Sequence, residues 1–424
     1  MQQQYESLVE RDFPHNLVAI LLFELIWAVG FGFAIYSVTV PAYLALVQAP
    51  KLLIGLVQSS FALTIFLQVV SSHYFGGTNR KKYVVWFHAA GGLTYVLAGG
   101  ICLFWSPPLP RWLLVGFFSG CMFVFSALIS LGTPLYVEVC ADNAPKKRRG
   151  FLFSAIYMIL GGTGLVFSFL STYLFSHLDL VTGYHLRFLI AGILFSLSTL
   201  TVLFLRDHFN PVHRQHITRE SFFQEVGYIL LRILKDQHYA IFIFFYTVLV
   251  VAGNLGMSYL IPYAREKLLV SERILDLFPK MWLLSGLLFC VPAGRIGDRF
   301  GYRMVGIILS AGVLAGYLVC LLWHKPFFIL TVYLPFSLCQ QLAIMLLNNM
   351  GMELCPQIPP SKLFSISSLV PLPFNLALVS LAGRLIDVTD NYRTTFTIGA
   401  VLALVATSGF VTLVREPRHF VPEV

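Results

Sequence analysis

Long apolar stretches alternate with short polar connections along almost the whole chain. About 20 apolar residues suffice for a helix to cross a bilayer. The pattern therefore predicts twelve spans, at 16–40, 52–75, 83–105, 111–139, 150–176, 185–205, 239–263, 278–296, 303–323, 327–355, 362–388 and 393–414. The first 15 residues are polar. The apolar run that follows is too long for a signal-peptide core, so it is expected to remain as span 1. The longest polar interruption is 206–238. Within it Phe222, Phe223, Val226, Ile229, Leu230 and Ile233 recur at helical spacing against Gln224, Glu225, Arg232 and Lys235. That spacing predicts an amphipathic helix on the membrane surface, linking two halves.

The halves look related. Glu138-Val139-Cys140 at the end of span 4 matches Glu353-Leu354-Cys355 at the end of span 10. Leu205-Arg206-Asp207 after span 6 matches Val414-Arg415-Glu416 after span 12. The expected fold is an all-α membrane protein of twelve transmembrane helices, arranged as two pseudo-symmetric six-helix bundles. The expected divisions are 1–205, a cytoplasmic linker at 206–238, and 239–424.

Composition agrees with the pattern. Of 424 residues, 57% are hydrophobic and 12% charged, where soluble domains carry about 25% charged residues. Mean hydropathy is +0.78. The spans leave no room for a sizeable soluble domain. The net charge of +9 does not point to nucleic acid, because the basic residues fall mainly in alternate short loops. Placing both termini in the cytoplasm puts 19 of the 29 Lys and Arg at the inner face and ten at the outer face. The seven cysteines lie in or beside apolar runs without a C-x-x-C pair, and read as packing residues. No metal-spaced His/Cys cluster, paired carboxylate within a span, H-E-x-x-H or G-x-S-x-G motif is present. No enzyme, metal or cofactor is expected.

Gly294 to Arg303 reads GRIGDRFGYR between two apolar runs, and predicts a tight loop at a membrane face. Its glycines at 294, 297 and 301 suit a close approach of helix ends. The stretch resembles the G-x-x-x-D-R-x-G-x-R loop signature of the major facilitator superfamily of transporters. A worn copy stands in the first half at Gly76-Gly77-Thr78-Asn79-Arg80-Lys81-Lys82. Aligning Lys81 with Arg303 puts Gly76 where Asp298 stands, so the acidic member is missing there. Pro134, Tyr136 and Glu138 followed by Arg149-Gly150 resemble the P-x-Y-x-x-E…R-G pattern of sugar porters, with the tyrosine-to-glutamate spacing one residue short. No sugar substrate is inferred. The resemblance implies alternating access around a cavity lined by spans 1, 4, 7 and 10, with substrate held between the halves. It also implies gating by Glu138, Arg149, Gly294, Asp298, Arg299, Gly301, Arg303 and Glu353. Asp298 would lie beside the positive N-terminal end of span 5, and Arg299 would reach Glu138.

Glu24 is the only acid well inside an expected span, with Trp27 one turn on. Ionisable groups in hydrocarbon are functional candidates by default. A carboxyl there favours its neutral form, which suits proton coupling. The alternative is a structural hydrogen bond to a neighbouring helix. Span 4 carries Ser126, Ser130 and Thr133 on one face, span 7 carries Thr247, Asn254 and Ser258, and span 10 carries Ser337, Gln341 and Asn348. These stripes are candidates for a substrate cavity, with hydrogen bonding between helices as the competing account. Tyr157, His88, Gln58, Gln68 and Asn375 read as packing or interhelical contacts. Amides and hydroxyls without a mid-membrane cation suit a neutral or zwitterionic solute. The expectation is a monomeric cell-membrane transporter of a small organic solute, coupled to protons. The alternatives are a proton-exchanging exporter of amphipathic compounds and a non-transporting sensor. A sensor would be expected to carry a long signalling tail, and six residues follow Arg418.

Overall fold

In the computed structural model, residues 2–75, 80–105, 110–145, 148–208, 235–323, 328–355 and 366–417 are described, with positions 224, 226, 227, 230, 231 and 363. The side chains of Arg149 and Asp298 lie outside the described set, as does most of the expected linker helix.

The described elements are all helical: α1 (Gln2–Phe33), α2 (Tyr36–Leu46), α3 (Lys51–Gln58), α4 (Ser60–Tyr74), α5 (Arg80–Trp105), α6 (Arg111–Asp142), α7 (Arg149–Phe175), α8 (Leu180–Leu203), α9 (Gln237–Glu266), α10 (Glu272–Leu275), α11 (Leu277–Phe300), α12 (Tyr302–Leu322), α13 (Ile329–Leu354), α14 (Pro371–Thr389) and α15 (Tyr392–Thr412). Helices satisfy every backbone group internally, the condition hydrocarbon imposes. Among the described residues, eleven stretches are long and apolar enough to cross a membrane, with α1 and α2 counted together as Gln4–Leu46. The chain is a multi-pass membrane protein.

Four expected boundaries move. Span 1 begins at Gln2, because its polar first turns are tethered: Tyr5 donates to the Asp142 carbonyl at 2.6 Å, and Asp12 pairs with Arg206 at 3.0 Å. Span 2 is interrupted at Ser59 into α3 and α4. Span 11 is broken by a turn at 368–370, between helical residues 366–367 and α14, which begins at Pro371, where proline suits a first helical turn. The expected loop at 294–303 is helical up to Phe300; only Gly301 leaves the helix, with φ +87°.

Two compact units divide the chain. The first comprises 1–35 and 64–222, the second 36–63 and 223–424. In the first, α5 packs on α6 and α8, and α1 packs on α7 and α8. Arg206 to His208, expected to open the linker, are bonded into this unit. Asn16 exchanges two hydrogen bonds with the backbone of Arg206 at 2.8 and 2.9 Å, and His208 contacts Asp12 at 2.9 Å.

The second unit contains a segment that the expected division placed in the first bundle. The backbone N–H groups of Lys51 and Leu52, at the start of α3, donate to the two carboxylate oxygens of Asp387 at 2.8 and 2.9 Å. A helix N-terminus carries partial positive charge, so a carboxylate is its natural cap. The Lys51 ammonium pairs with Glu266 at 2.5 Å, and the Arg265 guanidinium, paired with Glu272, donates to the Ala42 carbonyl. These contacts hold residues 36–63 among α9, α11 and α14.

Candidate functional site

Glu24 lies on α1 in the first unit and is 6% exposed. Its Oε1 accepts from the Tyr136 hydroxyl of α6 at 2.7 Å. This is its one hydrogen bond among the described residues, and no cation pairs with it. A buried charge is costly unless paired. Here the partner is a neutral donor, the Tyr136 hydroxyl.

The wall around it is aromatic. Phe23 stacks on Trp27 at 5.7 Å between centroids and tilts against Tyr136 at 4.7 Å. Trp27 meets Phe195 of α8 at 4.3 Å and His88 of α5 at 5.5 Å. His88 Nδ1 bonds the Val84 carbonyl at 2.9 Å, so this nitrogen carries the proton and donates. The His88 ring fits because position 132 is glycine: an added Cβ there would stand 2.5 Å from His88 Cε1. The structure thus brings Glu24 and Trp27 together, and adds Tyr136 and His88. Tyr136 entered the sequence reading only as part of a motif. Its pairing with Glu24 spans 112 residues of chain and had no local signal.

The polar stripes behave differently. Ser130 donates to Thr64 of α4 at 2.7 Å, and Asn254 to Asn375 of α14 at 3.1 Å. Ser337 donates to Ser285 of α11 at 3.0 Å; Gln341 donates to the Trp282 carbonyl and to Ser285 at 2.8 and 2.9 Å. These four residues join helices, as the competing account has it. Ser126, Thr133, Thr247 and Ser258 donate to their own helix backbones at 2.7–2.9 Å. Asn348 is half-buried and makes no side-chain hydrogen bond among the described residues.

At the Gly294–Arg303 stretch, an added Cβ at Gly294 would meet nothing within 4 Å, so no close approach occurs there. Gly301 is the position that must be glycine: a Cβ would stand 2.1 Å from Glu416 Cδ. Glu416 caps α12 by accepting from the Arg303 N–H at 3.0 Å. The Arg303 guanidinium donates to the Phe410 carbonyl at 2.9 Å and to the Val411 carbonyl. Arg299 is exposed and lies over the Phe300 ring at 5.1 Å. Glu138 and Glu353 are half-buried near the ends of α6 and α13. The expected roles of Arg149 and Asp298 fall on side chains outside the described set.

A corner that sequence reasoning missed lies in the first unit. Arg80, 0% exposed, pairs with Asp142 at 2.5 Å and with Asp207 at 3.1 Å, and Asn143 donates to Asp207 at 2.7 Å. In the sequence Arg80 was one of a run of three basic residues and read as a surface charge. Outside the spans, Asp179 caps α8, and the Thr182 N–H holds its carboxyl below the usual carboxylate range.

Eleven stretches long and apolar enough to cross a membrane, among the described residues, define the class: a polytopic membrane protein. The chain belongs to the Major Facilitator Superfamily, whose model matches residues 22–370. It is similar in fold to a mutant of the nucleoside transporter NupG, at 14% identity over 94% of this chain and 100% of that chain, with a TM-score of 0.72. It resembles a D-xylose-proton symporter at 16% identity over 95% and 99%, TM-score 0.70. A POT family transporter in complex with 5-aminolevulinic acid matches at 15% identity over 95% and 96%, TM-score 0.67. No curated protein matches the chain. The chain is a transporter of this superfamily, not an enzyme.

Proposed function

We propose that this transporter moves a small neutral or zwitterionic organic solute by alternating access, driven by protons that Glu24 carries. The observation that carries this reading is the buried Glu24 carboxyl, bonded to Tyr136 and, among the described residues, to no cation. Two solved structures of this fold are named as proton symporters, of D-xylose and of fucose, which agrees with it. Trp27 forms part of the cavity wall next to Glu24, and half-buried Asn348 offers an uncommitted amide. Glu138, Arg149, Asp298, Arg299 and Glu353 serve as the gate, on a frame set by Gly301 and Arg303. Both termini face the cytoplasm of a cell membrane, and the monomer is the working form.

The test is proton movement in liposomes holding the purified protein, challenged with pooled metabolites. Wild type is expected to move protons with one pool, and Glu24→Gln to move none. Solute movement without proton flux in either protein would refute coupling through Glu24. The aromatic wall of Phe23, Trp27, Phe31 and Phe195 favours a second reading, export of amphipathic compounds in exchange for protons. Opposite directions of solute and proton flux would select it.

A further inference from the structure

The Tyr136 hydroxyl donates to Glu24 at 2.7 Å. The ring has little freedom to turn away. Phe23 packs on it at 4.7 Å and His88 at 6.0 Å, and His88 is itself held by the Val84 carbonyl and seated on Gly132. Among the described residues the titratable groups about Glu24 are Tyr136, which donates to it, and Cys140 on the same helix, with His88 of α5 packed on Tyr136. No cation and no second carboxylate among the described residues acts on it.

We propose that Tyr136 is the positioning residue of the proton site: its hydroxyl, aimed at Glu24 and held there by the packing of Phe23 and His88 on its ring, sets the pH range in which Glu24 exchanges its proton. The physical cause is a difference between two states. A donor bonds an ionised carboxylate more strongly than a neutral carboxyl. Tyr136 thus favours the ionised form of Glu24 relative to the same site without a donor. This rests on Glu24 being the proton carrier.

The experiment is the pH dependence of proton-coupled solute uptake in liposomes for wild type, Tyr136→Phe, Tyr136→Met and Glu24→Gln. Tyr136→Phe keeps the ring and its packing, and removes only the donor. Uptake that needs a protonated Glu24 falls as pH rises. Without the donor, its midpoint is expected to move about one to two pH units toward alkaline values. Tyr136→Met fills the space with a flexible side chain and also removes the donor, and is expected to move it the same way. Glu24→Gln is expected to abolish the dependence. An infrared titration of the Glu24 carboxyl band, assigned with Glu24→Gln, reads the same midpoint without turnover. An unchanged midpoint in Tyr136→Phe overturns the proposal. If Tyr136→Phe does not fold, Tyr136→Met decides, and a wild-type midpoint there overturns it. A Glu24→Gln profile that matches wild type instead removes the proton reading itself, so the two failures are distinct.

Discussion

In each unit the end of the last helix is closed onto the start of an earlier one, α8 onto α5 and α15 onto α12, and the two closures are built differently. In the first unit the Lys81 ammonium donates to the carbonyls of Leu203 and Leu205, at the end of α8, at 2.8 and 2.7 Å. In the second, the Arg303 guanidinium donates to the carbonyls of Phe410 and Val411, at the end of α15. Both satisfy carbonyls that a helix terminus leaves free. The following acid takes different partners. Asp207 accepts from the Arg80 guanidinium and the Asn143 amide; Glu416 accepts from a backbone N–H and presses on Gly301. The cores agree more closely. Tyr95 lies 4.5 Å from Phe125 and 5.7 Å from Phe188, and Tyr317 lies 4.8 Å from Phe336 and 6.2 Å from Phe396. The repeat preserves ring packing and the capping task, while the first unit encloses an ion network and the second relies on a helix cap.

The largest effect is expected where that difference is sharpest. Arg80→Met leaves Asp142 buried without its cation, and is expected to cost about 3–5 kcal/mol. Thermal unfolding in detergent would measure it, and a loss no greater than that of Arg303→Met would erase the contrast. Next, Gly301→Ala forces a side chain onto φ +87° and into Glu416. A cost of about 1–3 kcal/mol is expected. Adding Glu416→Ala should recover only the steric part; full recovery would show that the backbone conformation imposes nothing. Lys81→Met and Arg303→Met each remove a cation from a helix C-terminus, and are expected to cost about 0.3–1 kcal/mol in their own units. Clearly unequal losses would show that the two caps are not equivalent. The smallest effect separates Asp179, which caps α8, from Asn391, which caps α15. The folded state depresses the Asp179 carboxyl, so its contribution is present above the unfolded value of about 3.9 and is lost as pH falls through the folded one. Hydrogen exchange at acid pH should loosen the first turn of α8 and spare that of α15, and Asp179→Asn should remove the difference.

Much of this architecture was legible before any contact was known. Runs of apolar residues mark spans because hydrocarbon excludes unpaired backbone and charge, a condition read one segment at a time. Glu24 was legible for the same reason, as an acid in the middle of such a run. The matching segments Leu205-Arg206-Asp207 and Val414-Arg415-Glu416 already lay half a chain apart, and they became the two closing corners. The stripes on α6, α9 and α13 misled in part. A helical face shows which side chains share a direction, but it does not say whether a neighbouring helix or a cavity stands opposite.

The sequence by itself determined the membrane class, the helical runs and the acid at position 24, since these follow from local hydropathy and composition. Only the tertiary structure decided that Tyr136 and His88 surround that acid, that Arg80 is buried between two aspartates, and that residues 36–63 pack with the second half of the chain. Each depends on which helix faces which across more than sixty residues of chain. That outcome is settled by the packing of whole helices and by where one carboxylate, such as Asp387, meets a helix end.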